Sequence, residues 1–205
     1  MKKMQLALTT VGYHVVNLNY PSTDKKIEIL AERYLPPAIE KCEQLARTKI
    51  HFVTHSLGGI VVRLRLREKK PERLGHVVML SPPNRGSEVA DALKKWWLYS
   101  RINGPAGQQL GTAPDSLPNR LGPVDYPVGI ITGDTQAFFD FWLSSYFKGK
   151  NDGKVSVERA KVDGMTDFLV IHESHPFIMK ADGVIAATLF FLKNGFFPQP
   201  ESISH

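Results

Sequence analysis

Five stretches of the chain, 13–20, 49–55, 76–81, 128–133 and 167–173, are rich in β-branched and other apolar residues and show little alternation of apolar with polar positions. A strand with one wet face alternates, whereas one covered on both faces does not. Between most of these runs the apolar positions recur at helical spacing. The pattern predicts helices over Met1–Thr10, closed by Gly12, over Lys25–Arg47 with an interruption at Pro36-Pro37, and over Leu57–Lys69, stopped by Pro71. A last helix is expected over Pro176–Lys193, opened by a proline and closed by Gly195. Strands buried on both faces and alternating with helices give an α/β class, a mostly parallel twisted sheet flanked by helices.

The stretch from Pro82 to Asp125 breaks this rhythm. It is rich in Gly, Pro and Asn, carries one helical segment around Glu88–Tyr99 and has no strand signal, so it reads as a lid-like excursion above the sheet. Within it Lys94-Lys95-Trp96-Trp97 joins cations to indoles, a combination favoured at a lipid interface and equally suited to covering a pocket. The aromatic segment 138–147 adds apolar surface. A weak interfacial lipid contact is one expectation from these residues.

Composition narrows the picture. The chain has 205 residues, 42% hydrophobic and 22% charged, which suits a single domain over 1–205. No apolar run approaches the roughly 20 residues of a membrane helix. The amino-terminal segment has a basic pair but too short an apolar stretch and no cleavage site for a signal peptide, so the chain as written reads as cytoplasmic, and as exported if a signal segment lies upstream. The net charge of +6 is dispersed. Its only dense cluster, residues 63–73, alternates arginines with Leu64 and Leu66 as on a solvated helix end, and no nucleic-acid-binding motif accompanies it. The single cysteine, Cys42, excludes an internal disulfide and reads as a buried packing residue.

One polar residue sits where the strand over 49–55 must turn into the helix from Leu57. The stretch Thr54-His55-Ser56-Leu57-Gly58-Gly59 approaches the G-x-S-x-G nucleophile elbow, with threonine at the first glycine position. Gly58 meets the elbow's need for close backbone approach, and Thr54 meets it in part. In a parallel sheet, reactive groups collect at the carboxyl ends of strands, where Ser56 lies. A serine that merely caps the following helix is the competing reading. Downstream, Asn151-Asp152-Gly153-Lys154-Val155 offers a carboxylate in a turn, and Asp134 offers a rival at the end of the run over 128–133. His172 and His175 are the nearby imidazoles, His172 inside the run over 167–173. Their three-residue spacing could suggest a metal pair, but an extended chain points such residues to opposite faces and no third ligand accompanies them. No metal and no cofactor is expected.

These residues and their order resemble the α/β-hydrolase superfamily, and most closely its small bacterial esterase and lipase-like members, along nearly the whole chain. The resemblance implies Ser56 as nucleophile, Asp152 as acid in a D-G-x-V segment, and His175, placed just before the last helix, as base. It implies Leu57 as one oxyanion donor through its backbone amide, and an ester of a small molecule or lipid as substrate. His55 is expected to support the elbow by packing, pointing away from the nucleophile. In the superfamily, a strand and an oxyanion loop precede the region matching Met1–Thr10, and that strand lies between those matching 13–20 and 49–55. The expectation is therefore either a chain that extends further upstream or direct pairing of those two flanking strands. A degenerate hydrolase fold that binds without catalysis is the alternative reading.

Overall fold

The computed structural model describes residues 1–45, 48–93, 104–138, 145–147 and 149–199. The expected features at Lys94–Tyr99, including Trp96 and Trp97, and over most of 138–147 lie outside them.

Among the described residues, four strands form one wholly parallel sheet: β1 Ile50–His55, β2 Leu74–Leu80, β3 Val128–Gly133 and β4 Asp167–Ile171, lying side by side in that order. The helices are α1 Lys2–Thr10, α2 Ile27–Leu45, α3 Leu57–Glu68, α4 Glu88–Leu93, a segment α5 over 104–108, α6 Leu117–Arg120, α7 Val157–Ala160 and α8 Asp182–Asn194. Successive strand residues point to opposite faces, and the two inner strands show this directly. Val77, Met79, Val128 and Ile130 join the core under α2 and α3, while Val78, Leu80 and Ile131 join the core under α1 and α8. All seven of these side chains have no exposed surface. Burial on both faces is why the strand sequences do not alternate.

The expected strand over 13–20 does not form. The segment belongs to no strand and makes no ladder with β1. Direct pairing of the two flanking segments is thus overturned: a groove of about 590 Å³ separates them, lined by Tyr13, Val15 and Leu18 on one side and His51, Phe52 and Val53 on the other. A strand exists only through its neighbour's amides and carbonyls, and 13–20 joins no ladder.

Three further expectations need correcting. Helix α2 runs unbroken through Pro36 and Pro37. The carbonyls that lose their donors belong to Glu32 and Arg33, which are exposed and can turn to water, while Ile27, Leu30, Leu35 and Ile39 hold the opposite face in the core. The expected helix from Pro176 starts later. Phe177 and Ile178 both donate to the Ser174 carbonyl, a short 3₁₀ turn covers Ile178–Lys180, and extended Ala181 separates it from α8. Arg63 is not solvated: it is 3% exposed and donates to the backbone carbonyls of Asn84 and Gly122 and to Asn84 Oδ1. It ties α3 to the excursion, and burial pushes its pKa down to about 10. Cys42 is half-buried at the groove, and burial raises its thiol.

Candidate active site

Strand β1 ends at His55 and α3 begins at Leu57, so Ser56 alone makes the turn. It does so at φ 53° and ψ −124°, a positive φ that few non-glycine residues adopt. Its amide donates to the Leu80 carbonyl of β2 at 2.9 Å, and its carbonyl accepts from Gly59 at 2.9 Å, so both neighbours over-determine the strained position. Of the two glycines that follow the turn, Gly59 is the tighter: a Cβ there would come within 3.0 Å of the Pro82 Cβ and 3.4 Å of the Met79 sulfur. At Gly58 a Cβ would meet the Tyr20 hydroxyl at 3.4 Å. Leu57 opens α3, and its N–H has no carbonyl to bond within the helix.

Two loops from distant parts of the chain converge on this turn. His175 Nε2 lies 3.0 Å from Ser56 Oγ, and its Nδ1 lies 2.7 Å from Asp152 Oδ2. A carboxylate only accepts, so the ring donates from Nδ1 and turns the lone pair of Nε2 toward the serine hydroxyl. Asp152 is fully buried, and the other oxygen of its carboxylate accepts from the amides of Lys154 at 3.0 Å and Val155 at 2.8 Å. Burial works to raise the Asp152 pKa. The His175 ring and hydrogen bonds from His175, Ser81 and Val155 outweigh it, so the carboxyl lies below the ordinary aspartate value. The Ser81 hydroxyl lacks a partner of full hydrogen-bond geometry, yet it is close enough to favour the charged carboxylate.

The two loops also hold each other. The His175 amide donates to the Asp152 carbonyl at 2.9 Å, and Gly133 packs between them, where a Cβ would fall 2.0 Å from the Glu173 carbonyl oxygen and 3.0 Å from the Asp152 Cβ. The acid loop is anchored to the excursion by Ser156 and Arg159, which both donate to Glu88 at 2.8 and 2.9 Å, and by Ser87, which donates to the Lys154 carbonyl at 2.6 Å.

The rivals are engaged elsewhere. Asp134 accepts from Lys150 Nζ at 2.9 Å and faces His172 Nδ1 at 3.1 Å. The Lys150 hydrogen bond is the main reason its carboxyl lies below the ordinary value. His172 falls just past the end of β4 and is largely exposed. Ser56 makes no side-chain cap to α3. Among the described residues no group of three or more His, Cys, Asp or Glu is placed to hold a metal ion, and no helix is long and apolar enough to cross a membrane. His55 does more than the packing expected of it: its ring lies 4.8 Å from that of His175. It does not point into the serine's relay, but its Nε2 donates to the His175 carbonyl at 3.0 Å.

Ser56 sits on the rim of the groove between 13–20 and β1, with Leu57, Gly58 and Tyr20 also in its wall.

Residues 2–89, a little under half of the chain, match the model of the family described as "Putative serine esterase (DUF676)". No curated protein sequence matches the chain. Among solved structures, the mature form of the lipase BlEst2 of Bacillus licheniformis is similar at 20% identity and a TM-score of 0.68, over 93% of this chain and 83% of that one. The phospholipase PlaB of Legionella pneumophila is similar at 19% identity and a TM-score of 0.67, over 85% of this chain and 49% of that one. The monoacylglycerol lipase of Paleococcus ferrophilus is similar at 16% identity and a TM-score of 0.54, over 95% and 88%. A wholly parallel sheet with helices on both faces, similar over most of its length to these lipases, shows that the chain has the α/β-hydrolase fold.

Proposed function

We propose that the chain is a serine hydrolase that cleaves carboxylic esters through an acyl-enzyme intermediate. The observation that carries this reading is the unbroken relay from Ser56 through His175 to buried Asp152, at 3.0 and 2.7 Å. A serine hydroxyl is a weak nucleophile until a neutral imidazole accepts its proton. As Ser56 Oγ bonds to the ester carbonyl carbon, His175 Nε2 takes the hydroxyl proton and the carbonyl oxygen becomes an oxyanion, to which the Leu57 amide donates in this reading. Collapse breaks the bond to the alkoxy oxygen, and His175 returns its proton to the departing alcohol. Water then attacks the acyl carbon with His175 as base, and Ser56 leaves with that proton as the acid is released. Asp152 holds the ring's tautomer and offsets its positive charge throughout.

The lipase and esterase likenesses and the partial family match support an ester as substrate. Apolar wall next to Ser56, from Leu57 and the ring of Tyr20, favours an apolar acyl group. The reading that the fold binds without catalysis is separated by one experiment. Wild-type protein is expected to label with a fluorophosphonate probe and to hydrolyse a short p-nitrophenyl ester, and Ser56→Ala to lose both. Equal labelling and turnover in Ser56→Ala ends the proposal; absence of both in folded wild-type protein favours the binding module.

A further inference from the structure

His55 is bound up with His175 in a way that the relay itself does not require. Its Nε2 meets the His175 carbonyl oxygen at 3.0 Å across 120 positions of sequence, and the two rings lie 4.8 Å apart at 46°. The His175 backbone is therefore gripped at both ends, its N–H by the Asp152 carbonyl and its C=O by the His55 ring. Because His55 directly precedes Ser56, one stretch of backbone sets both the nucleophile and the grip on its base. We propose that His55 is a positioning residue of the esterase site: its Nε2–H···O=C bond fixes the His175 loop so that the His175 ring meets Ser56. This deepens the serine hydrolase reading and rests on it.

The bond dictates the state of the ring. A carbonyl only accepts, so Nε2 of His55 carries a proton. A second proton, on Nδ1, which would charge the ring, is opposed from several sides. His55 lines the groove and keeps some exposed surface, yet protein atoms crowd it, and this burial is the first cause that lowers its pKa, to about 3; His175 and the amino terminus act in the same direction, against the Asp152 carboxylate and the bond to His175 itself. His55 thus stays neutral while His175 cycles between neutral and charged, and it adds no positive charge beside a ring that must accept a proton. A misplacement of the base by about 1 Å costs on the order of 100-fold in rate, which makes the grip on its backbone consequential.

The test uses the full chain, with turnover of a soluble p-nitrophenyl ester and nitrogen NMR of the histidine rings. His55→Ala is expected to lower kcat by about 10-fold to 100-fold with KM changed less than about 3-fold. His55→Gln, whose side-chain amide sets a donor near the Nε2 position, is expected to recover most of kcat; a merely space-filling role would not distinguish it from His55→Leu. In wild-type protein the His55 ring is expected to hold the Nε2–H tautomer and not to titrate between about pH 5 and 8. Wild-type kcat in His55→Ala, equal kcat in the Gln and Leu variants, or an Nδ1–H or titrating His55 each overturns the proposal. The NMR arm decides it even if the Ala variant does not fold. If Ser56→Ala and His175→Ala abolish turnover while His55→Ala leaves it intact, only this inference fails. If Ser56→Ala retains turnover, the hydrolase reading fails and this one falls with it.

Discussion

Two carboxylates end up within reach of two imidazoles at the same end of the sheet, and what separates them is their partners. Asp152 has no exposed surface and spends one oxygen on His175 and the other on two backbone amides. Asp134 faces a lysine ammonium and exposed His172. An amide at position 152 can donate to His175 Nδ1, which puts the ring in the wrong tautomer to receive the serine proton. Asp152→Asn is accordingly expected to lower kcat by about 10⁴-fold, whereas Asp134→Asn stays within about 3-fold of wild type because it loses only exposed polar contacts. Ester turnover of both variants checks this, and a reversed order would make Asp134 the acid. In the sequence both aspartates are legible as residues at strand ends, but the choice between them depends on which histidine each one meets, and that is a fact about folded loops. Arg63 shows the same limit: its neighbours along the chain suggest a solvated stripe, and only the carbonyls of Asn84 and Gly122, brought in from elsewhere, explain its burial.

At the scale of elements, β3 does more for the site than supply a central strand. Its last residue, Gly133, is the surface on which the loops bearing Asp152 and His175 meet, and even the smallest side chain would overlap the Glu173 carbonyl at 2.0 Å. Backbone cannot yield there as the end of a flexible side chain could. Gly133→Ala is expected to cost about 1–3 kcal/mol of stability and to lower kcat more than about 10-fold, since the shift propagates to His175 two residues along. Chemical denaturation and ester turnover measure the two effects, and wild-type values for both would show that the loops accommodate a methyl group. The strands β1 to β4 and helix α3 are legible because their cause is local, a run of apolar β-branched residues or a helical period closed by Pro71. Segment 13–20 has an equally strong local signal and forms no strand, because the ladder needs donors and acceptors on an adjacent chain and a groove lies there instead. Helix α2 fails the opposite way: the local signal at Pro36-Pro37 is a break, and packing of Leu35 and Ile39 overrides it while the carbonyls that lose their donors belong to the exposed Glu32 and Arg33. Ser56 and its strained turn were legible from the pattern alone, whereas the part of His55 was not, since its partner lies 120 residues away.

For the molecule as a whole, the site contributes to how stability responds to acid. His55 has a folded pKa of about 3 against an ordinary 6.5. Between those values the unfolded chain binds a proton that the folded chain refuses, so lowering the pH favours the unfolded state. Asp152 pulls the same way in a lower window: its folded pKa lies below the ordinary 3.8, so its contribution is fully present above that value and is lost as pH falls through the folded one. The two windows join, and the stability that His55 contributes at neutral pH should begin to drain near pH 6.5, well above the range in which carboxylates protonate. Urea midpoints are therefore expected to fall steadily from about pH 7 to about pH 4. In His55→Gln, which keeps a neutral donor but cannot take up a proton, the fall through the upper part of that range is expected to be shallower than in wild type; it is not abolished, because burial and the neighbouring His76 ring also hold the His51 pKa below its ordinary value. Identical slopes in the two proteins would mean that His55 becomes charged in the folded state as readily as in the unfolded one, and that the crowding around it imposes no electrostatic cost.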